Sequence, residues 1–239
     1  DGHTWILGHV GSLAVNPHIY ANSGYDVNRD FAPVTLLAKV PSLFVIHPDV
    51  PARNLTEFVA YAKRNPGKLN YGSAGNASAG HLAMEYLKLT TGMFLTHIPY
   101  RGTGPALSDL LAGRTQAFSA GTPALLSHIR SGKLRAIATG TPQRLPSLPD
   151  LPTVAESGYP GFESVQWYGV MVPGATPPET IKRIQEECYR ALRTPAIAER
   201  FASEDAVIGG GPAAEFAAFI TEQQKLWKRV VLAAKIRSD

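Results

Sequence analysis

LNYGSAGNASAGHLAMEYLKLTT, residues 69–91, sets the pattern for the middle of this chain. Leu69–Gly72 is a short run that predicts a strand, and residues 78–91 have the spacing of an amphipathic helix. The apolar face of this helix comprises Leu82, Ala83, Tyr86, Leu87 and Thr90. The opposite face, which we expect to be solvated, comprises His81, Glu85 and Lys88. A strand that leads through small residues into a helix is typical of α/β proteins.

The same alternation continues as far as residue 139. Further strands are predicted at residues 94–98, 116–119 and 134–139, and further helices at residues 105–112 and 123–130. Gly113 and Gly132 follow these two helices, in the position where glycine commonly ends a helix. This order of elements predicts a parallel sheet with helices packed on its faces.

The flanking segments differ from this central block. Upstream, residues 33–40 and 43–47 are strand-like runs that Pro41 separates, and Asn54–Glu57 has capping-box residues. Downstream, residues 165–172 predict a strand, and Thr176–Glu179 resembles a second capping box, with Pro177 in the first helical position. The remaining predicted elements are a helix to about Arg193, a shorter helix after Pro195, a strand at 206–208 and a helix at about 213–234.

Single strands near residues 35–47 and 164–172 therefore enclose the central block. If both strands cross between lobes, the chain forms two lobes joined by a two-stranded hinge. We expect lobe 1 to comprise residues 1–43 and 170–239, and lobe 2 to comprise residues 44–169. A cleft between two such lobes is a common ligand position.

Composition excludes several classes of protein. The 239 residues carry a net charge of +4, and the basic residues are scattered rather than arranged as the stripe of a nucleic-acid-binding protein. No apolar run reaches the ~18–20 residues of a membrane span. The single cysteine, Cys188, excludes an intrachain disulfide, and its helical context predicts a buried, unreactive thiol. No residues have metal-ligand spacing, so we expect neither a metal nor a cofactor.

Four loops are expected at the carboxyl ends of the central strands, where ligands of open parallel sheets bind. They are residues 73–77, 100–104, 120–122 and 140–144, all rich in Gly, Ser or Thr, and only Arg101 and Arg144 are charged. The first three lead directly into helices, whose free N–H groups attract anions. A Walker loop is excluded because Gly80-His81 stands where Lys and Ser or Thr are needed, and no dinucleotide fingerprint is present. The loops therefore predict an anion site with neutral donors.

An alternative interpretation of the first loop is that it belongs to the active site of a hydrolase. Asn76–Gly80 resembles the nucleophile elbow G-x-S-x-G but lacks its first glycine, and Ser78 would be the nucleophile. A triad also needs a histidine later in the chain, and His128 falls inside a predicted helix. An esterase that uses Ser78 stays open as a less favoured alternative, and we expect no catalytic residues.

Many motifs follow one another along essentially the whole chain in the order of a known family. They include Asp1–Gly8, Phe31–Leu37, Ser73–Asn76, Pro99–Gly102, Pro105–Leu111, Leu148–Glu156 and Trp167–Gly169. This set resembles the Bug (TctC-type) family, the extracytoplasmic solute receptors of tripartite tricarboxylate transporters.

The resemblance implies a two-lobed periplasmic binding protein of the type II kind, with parallel-sheet lobes. It implies that a monomeric, periplasmic receptor closes on a small carboxylate: a di- or tricarboxylate, an acidic amino acid or an aromatic acid. The receptor would deliver this ligand to the membrane subunits of the transporter. A sensor of the same fold that signals to a membrane partner is the alternative.

The resemblance also implies the binding residues. The family's carboxylate loop matches Ser73, Ala74, Gly75 and Asn76. Further residues of the same lobe that the resemblance implies are Tyr100, Gly102, Ala120, Gly121 and Thr122. The position of the candidate loops, rather than the resemblance, adds Ser78, His81 and Thr103 to the expected set. Gly8 and Ser12 are expected to contribute from the other lobe, where this sequence has His9 and Ser12 in place of the family's usual threonines.

One departure from the family pattern concerns the start of the chain. The family begins with a further β-α-β stretch that supplies the opposing half of the site, and this sequence begins abruptly at a strand without it or a signal peptide. We therefore expect lobe 1 to be truncated at its N-terminus.

Overall fold

The computed structural model describes residues 2–20 and 22–237; the outermost residues of predicted lobe 1, 1 and 238–239, lie outside this range. Its strands are β1 (Ile6–His9), β2 (Phe31–Ile46), β3 (Asn70–Ser73), β4 (Thr96–Pro99), β5 (Ala117–Gly121), β6 (Arg135–Thr139), β7 (Val165–Pro173) and β8 (Val207–Ile208). Its α-helices are α1 (Asn16–Ile19), α2 (Val27–Asp30), α3 (Leu55–Arg64), α4 (Ala79–Thr91), α5 (Thr103–Leu111), α6 (Thr122–Arg130), α7 (Pro178–Leu192), α8 (Pro195–Ser203) and α9 (Ala213–Ala234). A π-helical segment, Gly11–Val15, precedes α1.

The chain forms two compact units. Of the described residues, the split unit contains those up to Val40 and those from Gln166 to 237, and the central unit is Pro41–Val165. The sequence suggests boundaries at 43/44 and 169/170 instead. The observed boundaries fall inside β2 and β7, where a continuous strand offers no turn or composition change that could mark them.

In the central unit, β3 pairs in parallel with both β4 and β5, as predicted. The prediction of a purely parallel sheet is nevertheless wrong, because the second half of β2 pairs antiparallel with both β5 and β6. The sheet is therefore mixed. Leu43 and Val45 of β2 contribute to a buried cluster with Phe118 of β5 and with Leu110 and Leu125 of α5 and α6.

Strand β2 also corrects the expected break at Pro41, because residues 31–46 form one continuous strand. Ala38 and Lys39 pair with β8, and pairing with β5 begins at Ser42. Pro41 thus lies where the strand changes partners, and its missing N–H removes no bond from either of these ladders.

The two predicted capping boxes have different outcomes. The Asn54 side chain accepts the N–H of Glu57 at 2.9 Å and caps α3, as predicted, although the Glu57 carboxylate accepts the N–H of Arg53 rather than that of Asn54. The prediction of a capping box at Thr176–Glu179 is wrong, because α7 begins at Pro178 without a side-chain cap. A residue before proline is kept out of the α region, so Pro177 is extended and the helix starts one residue later.

In the split unit, β1 pairs antiparallel with β7, and α9 packs on the π-helical segment. Trp167 of β7 is fully buried, contacts Phe216 of α9 edge-to-face, and donates its indole N–H to Gln223 at 2.9 Å. Cys188 of α7 is buried, as predicted, and burial raises the pKa of its thiol.

Candidate functional site

The carboxyl ends of β3, β4 and β5 carry three of the predicted ligand loops. Because these strands are parallel neighbours, their ends lie at one edge of the sheet of the central unit. Two hydrogen bonds join the first two loops: Tyr100 N–H donates to the Ser73 carbonyl at 3.0 Å, and Gly102 N–H donates to the Ala74 carbonyl at 3.2 Å. The structure therefore brings together loop 73–77 and the loop at Tyr100–Gly102.

Each of the three strands leads into a helix whose N-terminus carries no negative charge. The first turns of α4, α5 and α6 contain no acidic residue, whereas those of α3, α7 and α9 contain Glu57, Glu179 and Glu215. Helices α5 and α6 have Gly102 and Gly121 at the N-cap and no side-chain cap. Their N-terminal N–H groups lack the acceptor that capping side chains commonly supply, so these helix ends suit an anion.

Two buried hydroxyl groups lie beside these helix ends. Thr122, the first residue of α6, and Ser119 of β5 are almost completely buried. Within residues 2–20 and 22–237, neither side-chain oxygen has a hydrogen-bond partner. Buried hydroxyls are usually bonded in native proteins. The unbonded Thr122 hydroxyl thus lies at the start of α6 but, like the side chain of Ser73, is fully buried.

Loop 73–77 has a backbone shape that small residues permit. Gly75 has a φ of +127°, and a Cβ atom there would lie 3.3 Å from the Tyr100 carbonyl oxygen. Ala77 has a φ of +57°, which is uncommon for a residue with a Cβ atom. Within the loop, the Gly75 carbonyl accepts the N–H of Ser78 at 3.2 Å. Asn76 is exposed at the tip of the loop.

The prediction that His81 and Glu85 lie on a solvated face of α4 is wrong. His81 and Glu85 are only 6% and 8% exposed, and every residue from His81 to Leu87 is buried. Glu85 tolerates burial because its carboxylate accepts hydrogen bonds from the Tyr71 hydroxyl at 2.5 Å and from Lys88 at 2.6 Å. The side chains that look polar in the helical pattern therefore form a buried network with the end of the sheet.

His97 of β4 completes this network, and it is a residue that the candidate loops of the sequence do not include. Its ring stacks on those of both His81 and Tyr71, with centroid distances of 3.9 and 4.8 Å. Burial lowers the pKa of His81 to about 3, assisted by His97 and Lys88, and lowers that of His97 to about 4 against the influence of Glu85. Both imidazoles are therefore neutral at pH 7. The available signal is the strand register, since Tyr71 lies opposite His97 in the β3–β4 pair.

Two predicted binding side chains use their hydroxyls inside the central unit. Ser73 is fully buried; its Oγ accepts the Gly75 N–H at 3.1 Å and lies 2.6 Å from Nε2 of His97. The Tyr100 hydroxyl donates to Asp109 at 2.6 Å, and burial together with this carboxylate raises the pKa of Tyr100 to about 12. What these residues offer a ligand is thus backbone and ring surface rather than a free hydroxyl.

Ser78 does not have the surroundings of an activated nucleophile. It is the N-cap of α4, and its Oγ accepts the backbone N–H of His81 at 3.4 Å. The Nδ1 atom of His81 accepts the N–H of Ala77 at 3.0 Å, so that nitrogen is already occupied. Ser73, which contacts His97, is not an alternative nucleophile, because its side chain is fully buried.

Gly8, His9 and Ser12 lie in the split unit, at β1 and the segment that follows it. Ser12 Oγ accepts the His9 N–H at 3.1 Å, and His9 Nδ1 accepts the Gly11 N–H at 3.0 Å. A Cβ atom at Gly8 would lie 2.4 Å from a methyl carbon of Leu13, so a larger residue there would require the Leu13 side chain to move.

A groove of about 580 Å³ elsewhere in the split unit has a different character. Its lining is almost entirely apolar and includes Ala32, Pro33, Pro178, Ile181, Ala213 and Ala217. It offers few partners for a carboxylate. Among the described residues, no group of His, Cys, Asp and Glu could hold a metal ion, and no helix is long and apolar enough to cross a membrane.

Comparison with known proteins identifies the family. Residues 1–236 match the model of the tripartite tricarboxylate transporter family receptor. The chain is 35% identical over 232 residues to protein BugT of Bordetella pertussis, an alignment that covers 97% of this chain and 71% of BugT. It is 33% identical over 240 residues to a protein encoded in the tcbD-tcbE intergenic region of Pseudomonas sp., covering 100% of this chain and 71% of that protein.

Solved structures agree with this result. R. palustris Rpa4515 with adipate is 33% identical, with a TM-score of 0.86 over 99% of this chain and 79% of that one. The periplasmic binding protein BugD is 32% identical, with a TM-score of 0.83 over 100% of this chain and 80% of that one. MatC from Rhodopseudomonas palustris with bound malate is 29% identical, with a TM-score of 0.81 over 97% and 80%. This chain therefore belongs to the TctC family of solute-binding receptors, and its predicted two-lobed α/β class is confirmed.

Proposed function

We propose that this chain is a periplasmic receptor that binds a small carboxylate at the carboxyl ends of β3, β4 and β5. The observation that carries the proposal is the set of three adjacent helix N-termini, none with an acidic residue in its first turn. Backbone N–H groups at helix starts stabilise an anion without a paired cation. Adipate and malate, seen with the related structures, are dicarboxylates and suggest the ligand class.

Within this proposal, Ala74, Gly75 and Asn76 contact the carboxylate, with Gly102, Thr103, Gly121 and Thr122 at the other two helix starts. The receptor acts as a monomer without catalysis and hands its ligand to the membrane subunits of a tripartite transporter. The cap position of Ser78 supports a role in loop structure rather than in ester hydrolysis. Closure of lobes on the ligand, expected from the sequence, stays a prediction.

Calorimetry and thermal melting with a panel of mono-, di- and tricarboxylates test the proposal. The panel includes adipate and malate, and adipamide is the matched uncharged control for adipate. We expect heat of binding and a higher melting temperature with at least one acid and neither effect with the diamide. The absence of both effects with every acid would overturn the proposal.

A further inference from the structure

The loop that we propose to bind carboxylate is held from beneath by two imidazoles. His81 lies in the first turn of α4, and its Nδ1 accepts the N–H of Ala77 at 3.0 Å. Ala77 has the left-handed backbone that turns the loop toward the helix. Only an unprotonated Nδ1 can accept this hydrogen bond, so the neutral form of His81 is required.

His97 supports the other end of the same loop. Its Nε2 lies 2.6 Å from Ser73 Oγ, and that oxygen accepts the N–H of Gly75 at 3.1 Å. The Ser73 hydroxyl also lies 3.0 Å from the Gly75 carbonyl oxygen. If His97 carries its proton on Nε2, the imidazole donates to Ser73, and Ser73 in turn donates to Gly75, which satisfies all three contacts.

We propose that His81 and His97 are positioning residues that hold loop 73–77 in the conformation presenting its backbone to the carboxylate. This inference rests on the proposed function of that loop. The histidines themselves do not contact ligand; they act through Ala77 and Ser73. Burying the polar ring nitrogens costs free energy that two apolar side chains of the same size would not incur. The hydrogen bonds to Ala77 and Ser73 offset this cost.

Amide substitutions separate hydrogen bonding from packing. The oxygen of Asn can occupy the position of Nδ1 of a histidine, and the side-chain nitrogen of Gln that of Nε2. His81→Asn and His97→Gln should therefore keep the support of the loop, whereas His81→Gln and His97→Asn should lose it. All four variants remove the ring stack, so its loss cannot explain a difference within a pair. His128→Asn on α6 is the control outside the network.

Two measurements on the 239-residue chain decide the outcome. Hydrogen exchange of the Ala77 and Gly75 amides, followed by NMR, reports the loop, and calorimetry with adipate and malate reports binding. We expect His81→Gln and His97→Asn to bind about tenfold more weakly than His81→Asn and His97→Gln, with faster exchange of the supported amide. His128→Asn should resemble the wild type in both measurements.

Equal exchange rates and affinities for Asn and Gln at each position would overturn the inference. If the wild-type chain binds no acid, the proposed function fails, whereas the exchange rates still show whether the two histidines hold the loop. If a His81 variant does not fold, the His97 pair decides through Gly75.

Discussion

The imidazole rings of His81 and His97 are parallel, with centroids 3.9 Å apart and an angle of 6° between their planes. Protonating either ring places a positive charge against its neighbour and near Lys88, which also lowers the pKa of both histidines. The stack thus joins α4 to β4 through two imidazoles whose neutral forms are favoured in the folded protein. The free energy of unfolding should therefore depend on pH.

The free energy of unfolding should decrease as the medium becomes acidic. The pKa of His81 is lowered to about 3 and that of His97 to about 4, against about 6.5 in an unfolded chain. The contribution of the two neutral histidines to the free energy of unfolding is complete above about pH 6.5. It is lost progressively as the pH falls toward the folded-state pKa values, because the unfolded chain then binds more protons than the folded one. Urea unfolding between pH 7 and 4 measures this slope.

The double variant His81→Asn/His97→Gln should reduce that slope by up to about 2.7 kcal/mol per pH unit, the value for two protons. His128→Asn is the single-site control. A double variant with the wild-type slope would show that neither histidine titrates as described.

Removing one charge of the buried ion pair should lower the free energy of unfolding much more than removing a charge from an exposed ion pair. Lys88 and Glu85 are 15% and 10% exposed at the side chain and 2.6 Å apart. Lys88→Met should lower the free energy of unfolding by about 3–5 kcal/mol, because Glu85 is left buried without its cation. Lys225→Met, from a pair whose side chains are both 68% exposed, should cost about 0–1 kcal/mol. Chemical denaturation compares them.

Adding Glu85→Gln to Lys88→Met should recover part of the loss, because the unpaired charge is removed as well. A double variant less stable than Lys88→Met would contradict this account of the pair.

Gly80 should not tolerate alanine, although it lies in a helix. A Cβ atom there would be 2.3 Å from the carbonyl oxygen of Ser119, so α4 would have to move away from β5. We expect a loss of about 1–3 kcal/mol in thermal or chemical unfolding. Gly104→Ala in α5 is the matched control: apart from its chain neighbours and the backbone of its own helix, no atom lies within 4 Å of the added Cβ, and the variant should be neutral or stabilising. Equal effects at both glycines would refute the packing argument.

A negative charge at the tip of loop 73–77 should weaken carboxylate binding. Asn76→Asp should raise the dissociation constant by about tenfold through repulsion between like charges. The effect should shrink at high salt, because Asn76 is exposed and its charge would be screened. Asn28→Asp, at an exposed position in α2 of the split unit, should leave affinity unchanged. Calorimetry at two salt concentrations checks both variants, and unchanged affinity in Asn76→Asp would mean that the loop is not the site.

Local sequence signals predicted the elements around the site well. The helix expected at residues 78–91 is observed at Ala79–Thr91, and Gly113 and Gly132 follow their helices with φ values of +73° and +71°. Such signals depend on residues close in sequence, namely caps, glycine stops and apolar spacing. The loops of small residues at strand ends were found for the same reason.

Burial was harder to predict. His81 and Glu85 lie opposite the apolar face in the helical pattern, and nothing nearby in the sequence shows that Tyr71 and His97 cover them. The residues that cover them belong to other elements, β3 and β4, and meet α4 only after the sheet has formed. The same limit applies to β2, whose antiparallel place beside β5 and β6 depends on pairing across more than 70 residues of chain.

The sequence by itself determined the order of strands and helices, the small-residue loops with uncharged helix starts, and a resemblance that led to the correct family. The tertiary structure alone decided that the sheet is mixed, that Pro41 sits inside a continuous strand, and that two neutral histidines underlie the loop. The physical reason is that helix caps and turns are stabilised by neighbours in the chain. The protonation state and burial of a side chain are instead set by groups that only folding brings into contact.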